Sequence, residues 1–355
     1  MSWFQELLTL KELNASAKKA AVRAALQNKS QMEAFDITEN NLHEVIHTQH
    51  QLLRSVYPKC EELCSNKLKL SSQQTLEYLW YLWLPLAIKI ESQYRTQYKK
   101  NKRPLIQGFL GGQGTGKTTL CTVLSLILQE LDVRVLSLSI DDLYKTYTER
   151  LELQKQDPRL IWRGPPGTHD IDLGLGVIEK ILQKQTPIEI PRFDKSAYDG
   201  AGDRCLNPEI IHGVDIVLFE GWFIGARPVS PNIFDELLNT EIDPIITEAD
   251  KKFACDMNAN LIEYLPLWEK LDSLILLYPV DYHLSLKWRK QAEQEMIARG
   301  KTGMSDVEIE NFVNYFWRSL HPELFITPLT KSPDLTDLVI EVEADRSLGK
   351  VYRPC

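Results

Sequence analysis

The chain has 355 residues, of which 43% are hydrophobic and 25% charged, enough for one large domain or two ordinary ones. Its 41 basic and 49 acidic side chains leave a net charge of −8 with no basic tail or arginine-rich stripe, which argues against nucleic acid as the main partner. The six cysteines, at 60, 64, 121, 205, 255 and 355, have neither zinc-ligand spacing nor the density of a disulfide scaffold.

A reducing, cytoplasmic setting is therefore expected, with Cys355 an exposed bystander. The opening Met1-Ser2-Trp3-Phe4 lacks the charged-then-apolar order of an export signal. Residues 1 to about 100 contain no convincing strand, and Leu42, Val45, Ile46, Leu52, Leu53 and Val56 fall at helical intervals, so a helical N-terminal region is expected over 1–100. Its most apolar stretch, Leu79 to Ile90, is too short to span a bilayer and carries Pro85 and Lys89, which predicts a buried, kinked helix. The run Lys99-Lys100-Asn101-Lys102-Arg103 reads as a solvated connector.

From Pro104 the pattern changes to short apolar runs alternating with helical ones. Strands are expected at 104–110, 133–140, 214–219, 273–278 and 337–342, which makes an α/β fold with a mostly parallel sheet flanked by helices, occupying 101–355. Ligands of such sheets gather at the carboxyl ends of the strands. After the first strand stands Gly111-Gly112-Gln113-Gly114-Thr115-Gly116-Lys117-Thr118-Thr119, followed by Leu120, Val123, Leu124, Ile127 and Leu128 at helical spacing. Glycines turn backbone N–H groups toward an anion, and the helix N-terminus adds its partial positive charge. The segment is a phosphate cradle, with Lys117 reaching the β- and γ-phosphates of ATP and the Thr118 hydroxyl on Mg2+.

The second strand runs into Asp141-Asp142. One carboxylate could accept a substrate hydroxyl proton while the other holds Mg2+, or Asp142 could cap the following turn. The third strand ends in Glu220-Gly221-Trp222, an apolar strand closed by an acid that suits a metal-side role. Between them, loops at about 160–205 carry Arg163, Thr168, His169, Arg192, Lys195 and Arg204. Their cations could jointly bind a small anionic acceptor, although each alone is more often a surface ion pair than a ligand. A polar helix bracketed by Arg289 and Arg299 before Gly300 and Gly303 suits a lid over the nucleotide, at about 287–305, or a solvated amphipathic helix.

These motifs resemble the phosphoribulokinase, uridine kinase and pantothenate kinase group of P-loop kinases. They are more similar still to the plant-type glycerate 3-kinase family, through Arg163 to Asp170, Pro191 to Ser196, Phe219 to Phe223 and Met304-Ser305-Asp306. The resemblance implies MgATP-dependent phosphorylation of D-glycerate to 3-phospho-D-glycerate. It implies Asp141 as general base, Lys117 and Thr118 as phosphate and metal ligands, and Glu220 as metal-side acid. Acceptor contacts would lie around His169 and Arg204. The stretch at about 223–271 matches no motif of that family. Other small acceptors (a nucleoside, pantothenate, a sugar phosphate) and a nucleotide-dependent switch remain alternatives.

Overall fold

The computed structural model describes residues 3–68, 70–236, 242–298, 300 and 303–355. Among them six strands form one sheet: β1 (Leu105–Gly111), β2 (Val135–Ser139), β3 (Ile216–Gly221), β4 (Ser273–Pro279), β5 (Leu338–Val342) and β6 (Leu348–Tyr352). The spatial order is β6-β5-β4-β1-β3-β2, parallel throughout except for β6, which returns antiparallel to β5. Every residue of β1 and β3 is buried, as expected of central parallel strands covered on both faces. The second strand starts later than the apolar run suggests, because the Val133 N–H is taken by the Leu128 carbonyl, closing the preceding helix.

Alternation along the strands sorts the core into two layers. Leu105, Phe109, Ile216, Leu218, Ile275 and Leu277 point to one face, against the helix Lys117–Glu130 and the N-terminal helices. Ile106, Leu110, Val217, Phe219, Leu274 and Leu276 point to the other, against the helix Ile171–Leu182 and the segment 261–268. The N-terminal region thus shares the cover of one face of the sheet with the helix Lys117–Glu130. Helices run along Leu42–Leu63, Ser72–Tyr78 and Leu84–Asn101, with a π-helical turn at Leu79–Trp83. Pro85 follows the π-helical turn in a continuous run of helical backbone, and the Tyr81 carbonyl that its missing N–H leaves free accepts from Gln31 Nε2, so the apolar stretch is a buried helix with an irregular turn before the proline.

No described helix is long and apolar enough to cross a membrane. None of the six cysteines is in a disulfide; burial raises the Cys60 thiol to about 12, and Cys355 is exposed.

Candidate active site

The phosphate loop joins β1 to the helix Lys117–Glu130 at the carboxyl edge of the sheet. Gly114 and Gly116 have φ of +80° and +88°, which L side chains rarely adopt, and a Cβ on Gly114 would lie 2.9 Å from the Cβ of Trp288. Lys117 Nζ and Thr115 Oγ1 both donate to the Gly112 carbonyl, each at 2.9 Å, folding the loop around its own lysine. Burial pushes the Lys117 ammonium below its ordinary value, while Glu220 and Asp141 pull it back.

Glu220 closes β3 and is 8% exposed. Its Oε1 accepts a hydrogen bond from Thr118 Oγ1 at 3.0 Å, bringing two hard oxygen donors together beside the loop. Among the described residues no cluster of three or more His, Cys, Asp or Glu is placed to hold a metal. Two protein oxygens next to a phosphate cradle suit Mg2+, which takes its remaining ligands from water and phosphate.

Asp141 and Asp142 lie in a 3-10 turn after β2 and have different surroundings. Asp142 Oδ2 accepts from the Ser139 N–H at 3.0 Å and from Arg192 Nη1 at 2.8 Å, so it closes the turn and anchors an arginine. The structure does not bring Asp142 or Arg192 to the wall of the cleft. Asp141 lines the cleft and accepts from Lys195 Nζ at 2.6 Å. Burial raises its carboxyl, but Lys195 and the Tyr144 hydroxyl outweigh burial and hold it below the usual carboxylate range.

The cleft has a volume of about 1060 Å3. Arg163, Thr168 and Lys195 line it with Gln113, Lys117 and Thr118, whereas His169, Arg204 and Thr119 do not. Arg163 Nη1 donates to the Gly200 and Ala201 carbonyls at 2.8 and 2.9 Å and lies over the rings of Tyr144 and Phe193. Thr168 Oγ1 takes the Gly164 N–H and donates to the Pro165 carbonyl, holding its loop in shape. Arg204 pairs with Asp170 at 3.0 Å.

His169 is the clearest departure from an anion-binding cation. It is 2% exposed, stacked on Tyr144 with centroids 4.5 Å apart, and burial lowers it to about 3, so the ring is neutral at physiological pH. Its Nδ1 lies 2.7 Å from the Tyr264 hydroxyl, which also accepts the Gly167 N–H at 2.9 Å. Tyr264 belongs to the unmatched 223–271 stretch, which therefore shapes the loop carrying Thr168 and His169.

On the other side of the phosphate loop, the helix Leu284–Ala298 presents Trp288 and Arg289 to the cleft. Arg289 pairs with the buried Glu293 at 2.9 Å and lies over Phe312, while Arg299 falls outside the described residues. Wall residues that sequence reasoning missed include Tyr144, Arg150, Trp162, Trp222, Phe312 and Arg346. Tyr144, two positions after the paired aspartates, carried the one usable sequence signal; the others come together only through the fold.

No family model matches the chain. It is 31% identical over 307 residues to a chloroplastic D-glycerate 3-kinase of Arabidopsis thaliana, covering 81% of this chain and 64% of that protein, so it spans under two thirds of that relative's length. It is 32% identical over 239 residues to an uncharacterized kinase, mug58, of Schizosaccharomyces pombe, covering 64% of this chain and 84% of that one. A solved D-glycerate 3-kinase from Cryptococcus neoformans superposes with a TM-score of 0.67 at 27% identity, covering 75% of this chain and 96% of that chain.

Proposed function

We propose, for a chain that belongs to the P-loop kinase family of these D-glycerate 3-kinases and fungal kinases, that it transfers the γ-phosphoryl group of ATP to a hydroxyl of D-glycerate, giving 3-phospho-D-glycerate and ADP. The observation that carries this reading is the half-buried carboxylate of Asp141, held anionic by Lys195 in the same cleft as Lys117, Thr118 and Glu220.

Phosphoryl transfer needs positioning and charge neutralisation more than covalent help from the protein. Backbone N–H groups of Gly112 to Lys117 and the Lys117 ammonium hold the β- and γ-phosphates. Thr118 and Glu220 would hold Mg2+, which when bound spreads the charge of the phosphates. Asp141 accepts the hydrogen bond of the attacking hydroxyl, aligns it with the γ-phosphorus and takes its proton as the new P–O bond forms. Lys195, on the exposed arm at 191–204, exchanges its ion pair with Asp141 for the incoming acceptor carboxylate, while Arg163 adds a second cation. Arg289 faces the nucleotide from the lid side. The cytoplasmic setting and the boundary near residue 100 belong to the same proposal.

A second reading rests on the aromatic wall of Trp162, Trp222, Phe312 and Phe316, which suits an acceptor with a flat ring, such as a nucleoside. Acceptor-dependent ADP release, measured over D-glycerate, pantothenate, uridine and ribulose 5-phosphate, separates the two. Stimulation by D-glycerate alone supports the first reading, and stimulation by uridine supports the second. ADP release that no acceptor changes would contradict both.

A further inference from the structure

The carboxyl edge of the sheet sets an order. Asp141 follows β2, Glu220 ends β3, the phosphate loop follows β1, and Trp288 lies on the helix after β4. Beyond it is the turn between β5 and β6, which carries Arg346. An ATP whose γ-phosphate faces Asp141 across the phosphate loop must extend its nucleoside end the other way, toward β4, β5 and β6.

That side of the cleft is tightly interlocked. Trp288 packs under Gly114 and donates its indole N–H to the Ala344 carbonyl at 3.2 Å. The Arg346 guanidinium lies 5.7 Å from the Trp288 ring centroid, and Nη2 donates to the Trp288 carbonyl at 3.4 Å. Arg346 sits at φ +68°, left-handed backbone uncommon for a residue other than glycine, in a turn closed by its N–H on the Glu343 carbonyl at 2.8 Å. The turn is also held from far away in sequence. Tyr78, at the end of the helix Ser72–Tyr78, donates its hydroxyl to the Arg346 carbonyl at 2.6 Å and stacks on the buried Trp83, with ring centroids 5.2 Å apart.

We infer that the N-terminal helical region is part of the ATP site: Tyr78 is a positioning residue that holds the β5–β6 turn, and Arg346 binds the nucleoside end of ATP from that turn. A guanidinium on an indole forms a flat cationic platform that suits a purine and its ribose. Arg346 brings it to a wall shared with Gly114. The inference rests on the kinase reading above for the orientation of ATP.

The test is direct binding of MgATP to the full chain, with no acceptor present, by titration calorimetry. Arg346→Ala should weaken binding about tenfold and Arg346→Lys about threefold, with KM for the acceptor unchanged. Tyr78→Phe should weaken MgATP about threefold without shifting the unfolding midpoint of the nucleotide-free protein by more than a degree or so. In the Arg346→Ala background, Tyr78→Phe should add nothing, because it acts through that residue. MgATP affinity within twofold of wild type in Arg346→Ala, or full additivity of the two substitutions, overturns the inference. Wild-type protein that binds no MgATP overturns it together with the kinase reading. Wild-type protein that binds MgATP but phosphorylates no acceptor overturns the kinase reading alone, and the variant series still decides this one.

Discussion

Asp141 and Lys195 form the ion pair on which the proposed chemistry turns. Asp141→Asn should lower turnover by about 100-fold or more while leaving MgATP affinity within twofold, measured by steady-state kinetics and calorimetry on the same protein. Because the Asp141 carboxyl lies below its ordinary value, it stays ionised throughout the neutral range, and kcat/KM for the acceptor should show no acid limb from it above pH 5. Lys195→Met removes the cation that opposes burial. The Asp141 pKa should then rise and its acid limb enter the measurable range, and a pH profile unchanged from wild type would contradict the pairing. His169 makes the opposite case. Its folded-state pKa of about 3 is far below the ordinary histidine value near 6.5, so the unfolded chain binds the proton between those values. Stability should therefore fall with pH below about 6.5, with a slope of about 1.4 kcal/mol per pH unit from this residue. Urea titrations of His169→Asn between pH 6 and 4 should show that part of the slope missing. The roles of single residues were only partly legible in the sequence. Acids after strands were readable, because parallel sheets place their ligands there. That Asp142 and Arg192 satisfy one another, and that His169 is sealed and neutral, depends on partners 50 and 95 residues away.

At the level of elements, the strand ends bring the site together. The phosphate loop works because β1 delivers Gly111 to the sheet edge, and because Gly114 leaves room for Trp288 on the helix after β4. Gly114→Ala demands both an unfavourable φ and displacement of Trp288, so it should weaken MgATP by at least about tenfold while the fold persists; near-native affinity would show that the two elements are not in register as described. Strands β1, β3, β4 and β5 were readable as short apolar runs, since both of their faces are covered, whereas the edge strand β2 buries only Leu136 and Leu138. The sixth strand was not: Leu348, Gly349 and Lys350 carry no buried pattern, and they form a strand only by pairing with β5. The two-stranded ribbons at 188–190 with 209–211 and 193–194 with 203–204, which carry the cationic loops, have strands of two or three residues, too short to show a period even where Ile188 and Ile190 are buried. The 223–271 stretch gave no motif because its contribution is packing: Phe253 and Met257 join Tyr315 and Phe316 behind the aromatic wall, and Tyr264 holds the Gly167–His169 backbone.

Across the whole molecule, the helical N-terminal region and the sheet share one apolar layer. Leu53, Val56, Leu86 and Ile90 lie in the same buried cluster as Phe109, Leu218 and Ile275. Leu53→Ala, a cavity at a fully buried side chain of the N-terminal helix Leu42–Leu63, should cost about 2–5 kcal/mol. Circular dichroism and tryptophan fluorescence should record that loss as one shifted transition, and two separated transitions would show independent domains. The same continuity lets a helical region with no ligand-like motif of its own reach the edge of the cleft through Tyr78. The central claim, that this machinery phosphorylates D-glycerate, is tested most directly by incubating the protein with MgATP and D-glycerate and identifying the product by NMR. The account predicts 3-phospho-D-glycerate in amounts equal to the ADP formed. ADP without a phosphorylated glycerate, or phosphate on the C2 oxygen, would contradict it.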